Sequence, residues 1–197
     1  MKYHDLTLGQ VEAVVNKLGG PDGVKRFLRG EPMVLGVQFL KTLQTGINAQ
    51  GIDLFVTREK FCEGKEVDGV AIGFLGTRFK EQFLGKIEDG VTDLLLTASE
   101  LTEDLRNPAI ITALGGDDRA EVSLAHVWAL LKRQGHGEDG VLLISECTNI
   151  FYVRDVVGTL WALGVQWISD DRIWAVEASS IEHPPRRVGC RIFSRDS

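Results

Sequence analysis

VLLIS (141–145), IFYVR (150–154), TLWALGVQWI (159–168) and RIWAVEAS (172–179) follow one another with only ECTN, DVVG and SDD between them. Each run is apolar, aromatic and β-branched, and each connection has the length of a hairpin turn, so the stretch predicts a meander of four antiparallel strands. On the third run Trp161, Leu163, Val165 and Trp167 alternate onto one face, and Trp174 and Val176 continue that face on the fourth. CRIFS (190–194), beyond Pro184-Pro185, is expected to add a fifth strand. Just upstream, Ser123 is a good N-cap for an amphipathic helix whose stripe is Leu124, Val127, Trp128 and Leu131. Lys132 and Arg133 suit its negative end, and Gly135 stops it before the flexible loop GHGEDG (135–140). Laying this helix on the apolar sheet face buries the indoles and gives a two-layer α+β sandwich.

Towards the N-terminus the patterns shorten. IDLFVT (52–57) and GVAIGFL (69–75) read as strands, joined by a charged connection around Glu63 to Glu66. Gly76-Thr77 opens a helix with Phe79, Phe83, Leu84 and Ile87 on one stripe. VTDLLLTA (91–98) reads as a further strand, and Asn107 is expected to cap a short helix with Pro108 at its first position and Gly115-Gly116 at its end. MVLGVQFLKTL (33–43) fits a buried strand or an apolar helix equally well. Residues 1–31 read as a helical hairpin. Thr7 and Gln10 form a capping box, Val11, Val14, Val15 and Leu18 line the first helix, and Val24, Phe27 and Leu28 line a shorter second one. The expected organisation is therefore a hairpin over 1–31 and an α+β body over 32–197, with a mixed α/β middle and the meander at about 141–195.

The chain has 197 residues, 44% of them apolar and 25% charged, which is the composition of a globular protein and excludes a disordered one. No run is long and apolar enough for a spanning helix, and MKYHDLTLGQ has no apolar core of a signal peptide, so no membrane partner is expected. Three cysteines, Cys62, Cys147 and Cys190, form no C-x-x-C pair; free thiols without an export signal point to the cytoplasm. The net charge of −6 repels phosphate backbones on average, so nucleic-acid binding needs a local basic patch. Lys25, Arg26 and Arg29 on the second hairpin helix supply one. Arg186, Arg187 and Arg191 supply another, in a segment from Arg186 to Arg195 with four arginines and no acid. A recognition helix of two turns is short for a groove, and a solvated surface is the simpler reading of both patches.

Among groups able to carry chemistry, His136 and Glu138 lie together in GHGEDG, but without the i, i+4 spacing of a helical metal site. Cys147 sits in the ECTN turn, where a thiol could be exposed. His126 lies on the border of the helix stripe and reads as structural. No G-x-S-x-G elbow, P-loop or dinucleotide fingerprint is present, and no metal or cofactor is expected.

The segment TLGQVEAVVNKLGGPDGVKRFLRGE, together with GVAIGFLGTRF, VLLISECTNIFYVRDVVG and RIFSRDS, resembles stretches shared by a group of small uncharacterised bacterial proteins. The resemblance implies a bacterial origin and a modular N-terminus, and carries no functional residue. A well-patterned fold without a catalytic signature suggests a non-enzymatic cytoplasmic binding or interaction protein. It would engage a protein partner or a second copy of itself through the hairpin or the sheet surface. The alternatives are a small hydrolase or transferase with a site near the 135–140 loop and Cys147, and a nucleic-acid-binding protein acting through the basic patches.

Overall fold

The computed structural model describes residues 7, 9, 11, 12, 15, 20–29, 39–145, 147–182 and 185–196, with only the backbone of Gly20, Asp22, Gly23 and Arg26. The chain forms two compact units, residues 1–38 and 39–197. In the first, α1 (Gly20–Leu28) forms around Pro21, which tolerates the first helical turn because its missing N–H is not needed there. Residues 9, 11, 12 and 15 are helical; most of the expected first helix, Gln10 of its capping box, and the segment 30–38 that holds the expected boundary lie outside the described residues.

The second unit is built on an eight-stranded, mostly antiparallel sheet. Its strands are β1 (Leu40–Ala49), β3 (Lys65–Val67), β4 (Val70–Leu75), β6 (Leu94–Leu101), β7 (Asn149–Arg154), β8 (Leu160–Ile168), β9 (Ile173–Ser180) and β10 (Arg191–Arg195), with β2 (Ile52–Val56) and β5 (Ile87–Val91) pairing separately. The order across the large sheet is β1-β6-β10-β7-β8-β9-β4-β3. Between the strands lie α2 (Thr57–Lys60), α3 (Thr77–Phe83), α4 (Asn107–Leu114), α5 (Asp117–Ala120) and α6 (Leu124–Leu131), the last running into a short 3₁₀ turn, Lys132–Gln134. No helix among the described residues is long and apolar enough to cross a membrane.

The alternation expected on β8 and β9 holds. Leu163, Val165, Trp167, Trp174 and Val176 share one buried face with α6 and with Phe55, Phe61, Phe79 and Phe83. Trp128, Trp167 and Trp174 are buried, and Trp161 is half-buried against the same core. Ser123 caps α6, accepting from the His126 amide at 3.2 Å, while the imidazole reaches back to the Ser123 amide.

Several expectations fail for identifiable reasons. VLLIS is not a strand, so the meander has three strands, β7 to β9. Side chains take over the backbone groups that a neighbouring strand would have paired. The Leu142 amide donates to Gln134 Oε1 at 2.7 Å, the Leu143 amide to Asn149 Oδ1 at 2.7 Å, and Asn149 Nδ2 returns to the Leu143 carbonyl at 3.0 Å. CRIFS does form β10, but between β6 and β7 and parallel to β7, rather than at the end of the meander. Ile192 and Phe193 are both buried on opposite faces, which suits a central strand. Phe193 stacks on Phe151 with ring centroids 4.6 Å apart.

The sheet is also not the inner wall of a two-layer sandwich. Ile150, Tyr152 and Ile192 form a second core with Ile110 and Ile111 of α4, so the centre of the sheet is covered on both sides. The α6 helix is buried on every side rather than along one stripe. Ile87 belongs to β5 and is exposed, not on the Phe79 stripe. Asn107 does not cap α4; Arg106 stands at that position, and the Asn107 side chain turns into the second core. The 135–140 loop is pinned: a Cβ at Gly137, whose φ is +74°, would lie 2.2 Å from the Trp167 ring.

The five-residue β7–β8 turn shows how a sequence feature sets a register. Asp155 is buried and accepts from the amides of Val157 (2.9 Å) and Thr159 (2.8 Å) and from Trp161 Nε1 (2.8 Å). Burial alone would raise its carboxyl pKa, but these donors outweigh burial and hold it below the ordinary value. A depressed folded-state pKa means stabilisation that is present above the unfolded value of about 3.9 and lost as pH falls through the folded one. Asp155→Asn is expected to cost about 1–3 kcal/mol at pH 7. In urea titrations this gap between the two proteins should narrow progressively as pH falls below about 4; a gap that stays the same on acidification would refute the assignment.

Candidate functional site

Period-two geometry puts the residues between the core-facing ones of β8 and β9 onto the opposite face of the sheet. There Ile110 and Ile111 of α4 and Ala120 of α5 share the second core with Leu101, Ile150, Tyr152, Ala162 and Ile192, and beyond it lies an open groove of about 450 Å³. Its floor is low because Gly164 and Ala175 carry little or no side chain, and Ile173 lies across Gly73, where a Cβ would meet it at 2.0 Å. Phe74, Ile168 and Ile173 give the groove an apolar part, with Phe74 45% exposed. Thr148, Glu177, Ser179 and Arg186 give it a polar part, and Asp171 stands in the β8–β9 turn.

Arg186 is the best-defined polar group of the groove. Its backbone is fixed by two hydrogen bonds with Leu105, at 2.8 and 3.0 Å. Nε donates to Asn107 Oδ1 at 3.1 Å, and Nη2 donates to Ser179 Oγ. Asn107 is fully buried; its Oδ1 also accepts from the Tyr152 hydroxyl at 3.1 Å while its Nδ2 donates to the Ile181 carbonyl at 3.2 Å, so the amide cannot turn without losing bonds. Both partners of the guanidinium are neutral, and no carboxylate pairs with it at ion-pair distance among the described residues. Burial accordingly lowers its pKa, opposed by the field of nearby groups that include Glu177. The Tyr152 phenol is pushed upward by the same burial.

A second cleft, about 360 Å³, adjoins the groove through Thr148 and Arg186 and is lined also by Cys147, Arg187 and Cys190. A third, about 240 Å³, holds groups already satisfied by one another. Glu88 there accepts from the first amides of α6, and His126 Nε2 pairs with the Thr92 carbonyl at 2.9 Å. Burial lowers the His126 pKa, as suits an imidazole with a structural task.

The structure brings some of the sequence candidates together and separates others. His136 and Glu138 are exposed, and the His136 amide donates to the Glu138 carboxylate at 3.0 Å. Cys147 lies in the second cleft, which neither of them lines. Arg186 and Arg187 share that cleft, whereas Arg191 is directed elsewhere, with Nη1 donating to the Val141 carbonyl at 2.6 Å. Lys25 and Arg29 are exposed on or just after α1, and the Arg26 side chain lies outside the described residues. No group of three or more His, Cys, Asp or Glu residues placed to hold a metal occurs among the described residues. Sequence reasoning missed Asn107, Glu177 and Ser179. The alternation that places Trp174 and Val176 inward already places Glu177 and Ser179 on the other face. Asn107 carried no such signal, because its helix-capping reading competed.

Comparison with known proteins finds no family model, no curated protein and no solved structure that matches this chain.

Proposed function

We propose that this protein is a non-enzymatic binding protein whose sheet groove holds a small zwitterion with an apolar body, an amino acid or a short peptide. One observation carries the reading: a half-buried guanidinium, oriented by neutral partners, faces a groove that has an exposed carboxylate and an apolar wall. A carboxylate of the ligand would complete Arg186, since a desolvated cation gains most from a charged acceptor. Its ammonium would pair with Glu177, and its side chain would lie on Phe74 and Ile173. The groove's volume falls in the range of small-molecule sites, about 300–1,000 Å³. Convergent nucleophile, base and acid are not part of this reading, which therefore assigns binding without turnover.

Calorimetric titration with phenylalanine, 3-phenylpropanoate and phenethylamine tests it. Phenylalanine should bind more tightly than either compound lacking one charge, by about tenfold, the worth of one charge-assisted hydrogen bond of about 1.5 kcal/mol. Arg186→Gln should erase its advantage over phenethylamine, and Glu177→Gln its advantage over 3-phenylpropanoate. Equal binding of all three compounds, or none at millimolar concentration, would remove the proposal.

A further inference from the structure

Cys147 and Cys190 lie far apart in sequence but meet in the second cleft. The parallel pairing of β10 with β7 begins at Arg191 and Asn149, and the Arg191 amide donates to the Thr148 carbonyl at 3.1 Å. Each cysteine therefore sits at the entry to its strand. Gly189 lies between them: a Cβ built on it would stand 3.3 Å from Cys147 Sγ, and the next residue is Cys190. The two thiols differ in access. Cys147 is half-exposed and Cys190 is buried, at 7% exposure. Arg186 and Arg187 line the same cleft.

We propose that Cys147 and Cys190 form a thiol–disulfide modification site that reacts with small anionic disulfides. The Cys147 thiolate, the accessible one, attacks a sulfur of the disulfide RSSR. The S–S bond breaks, one RS⁻ leaves and takes a proton, and a mixed disulfide remains on Cys147. The Cys190 thiolate then attacks Cys147 Sγ, expels the second RS⁻, which is also protonated, and closes a Cys147–Cys190 bond. Two protein thiols are oxidised by two electrons, and RSSR is reduced to two RSH. The arginines favour disulfides carrying carboxylates by raising their local concentration. Burial pushes the Cys190 thiol up, so it is inert to outside reagents until a sulfur is delivered to it by Cys147; a Cys147 charge shifts it in the same direction, as expected of neighbours. Cys62 lies outside this cleft, its thiol directed to the Arg58 carbonyl at 3.2 Å. The inference stands apart from the zwitterion reading, since it is measured on covalent products in ligand-free protein.

The test is oxidation of the native chain by glutathione disulfide, with the cationic disulfide cystamine in parallel, followed by thiol capping and peptide mass mapping. The wild-type chain should lose two thiols, retain Cys62, and yield one Cys147–Cys190 linked peptide pair that dithiothreitol reverses. Glutathione disulfide should react faster than cystamine by about tenfold at low salt. Cys190→Ser should stop at the mixed disulfide on Cys147. Consumption of Cys62 first, a persistent mixed disulfide on Cys147 in the wild type, or equal rates with the two reagents would overturn the assignment. The wild-type peptide map decides the linkage even if Cys190→Ser fails to fold.

Discussion

Trp174→Ala should destabilise the second unit by about 3–5 kcal/mol. The indole has no exposed surface and touches three parts of the fold. Across β8 it faces Trp167, with ring centroids 5.2 Å apart, and on β4 its register partner is Ile72. Its Nε1 donates to the Gln134 carbonyl at 3.0 Å, at the end of the 3₁₀ turn that follows α6. Truncation thus opens a cavity and also removes one of the two donors to the Gln134 carbonyl, leaving the Gly137 amide at 3.0 Å. Trp174→Phe separates the two contributions: it keeps most of the apolar volume and loses the hydrogen bond, for about 1–2 kcal/mol. Urea denaturation followed by far-UV circular dichroism measures both. A Trp174→Ala midpoint within about 1 kcal/mol of wild type would mean that this interior is not packed as described.

Trp174 also marks where sequence reading succeeds. β8 and β9 each bury one face against the tryptophan core, so their chemistry alternates with period two and their register follows from a short turn. β7 and β10 are buried on both faces, and such runs show only that they are apolar. That is why VLLIS, equally apolar, could pass for a strand: its backbone is satisfied by Gln134 and Asn149, side chains that no periodicity describes. The edges fail for the opposite reason. β1 is exposed at most positions and β3 is three residues long, so neither displays an apolar face. The Asp68-Gly69 turn, with φ of 51° and 80°, was a legible hairpin signal beside β3. The parallel pairings of β4 with β9 and of β7 with β10 bring together residues far apart in the chain, which local patterns do not encode.

The groove was half legible for similar reasons. Its floor is the reverse of a face read correctly, and Arg186 belongs to an arginine run visible in the sequence. What divides that run is strand geometry: Ile192 joins the second core while Arg191, one residue earlier, is turned to the other side of β10. The buried bond from Tyr152 to Asn107, and through it to Arg186, links residues from β7, α4 and the loop before β10. Such convergence exists only after folding.

Glu88 is the second such convergence, and Glu88→Ala should cost about 3–5 kcal/mol, as removal of one partner from a buried ionic cluster does. The carboxylate comes from β5, yet it serves α6. Oε1 accepts from the Leu124 amide at 3.0 Å and Oε2 from the Ala125 amide at 2.9 Å, the first two amides of that helix. Ser123 takes the third. Because every residue of α6 is buried, its first amides depend on acceptors supplied by other side chains. Lys86 lies 2.8 Å from Oε1 and would remain half-buried, held by the Arg154 carbonyl at 2.6 Å. Two readings of Glu88 make different demands. If the ion pair with Lys86 dominates, Lys86→Met should cost nearly as much as Glu88→Ala. If the helix cap dominates, Lys86→Met should cost far less, and Glu88→Gln, which keeps one acceptor oxygen, should fall between. The cap is favoured, because two fixed amides and the positive end of a buried helix face the carboxylate from one side. Amide hydrogen exchange at Leu124 and Ala125 provides the local readout: it should accelerate in Glu88→Ala beyond what global destabilisation explains and stay near wild type in Lys86→Met. Unchanged exchange at those two amides would return Glu88 to the role of a plain ion-pair partner.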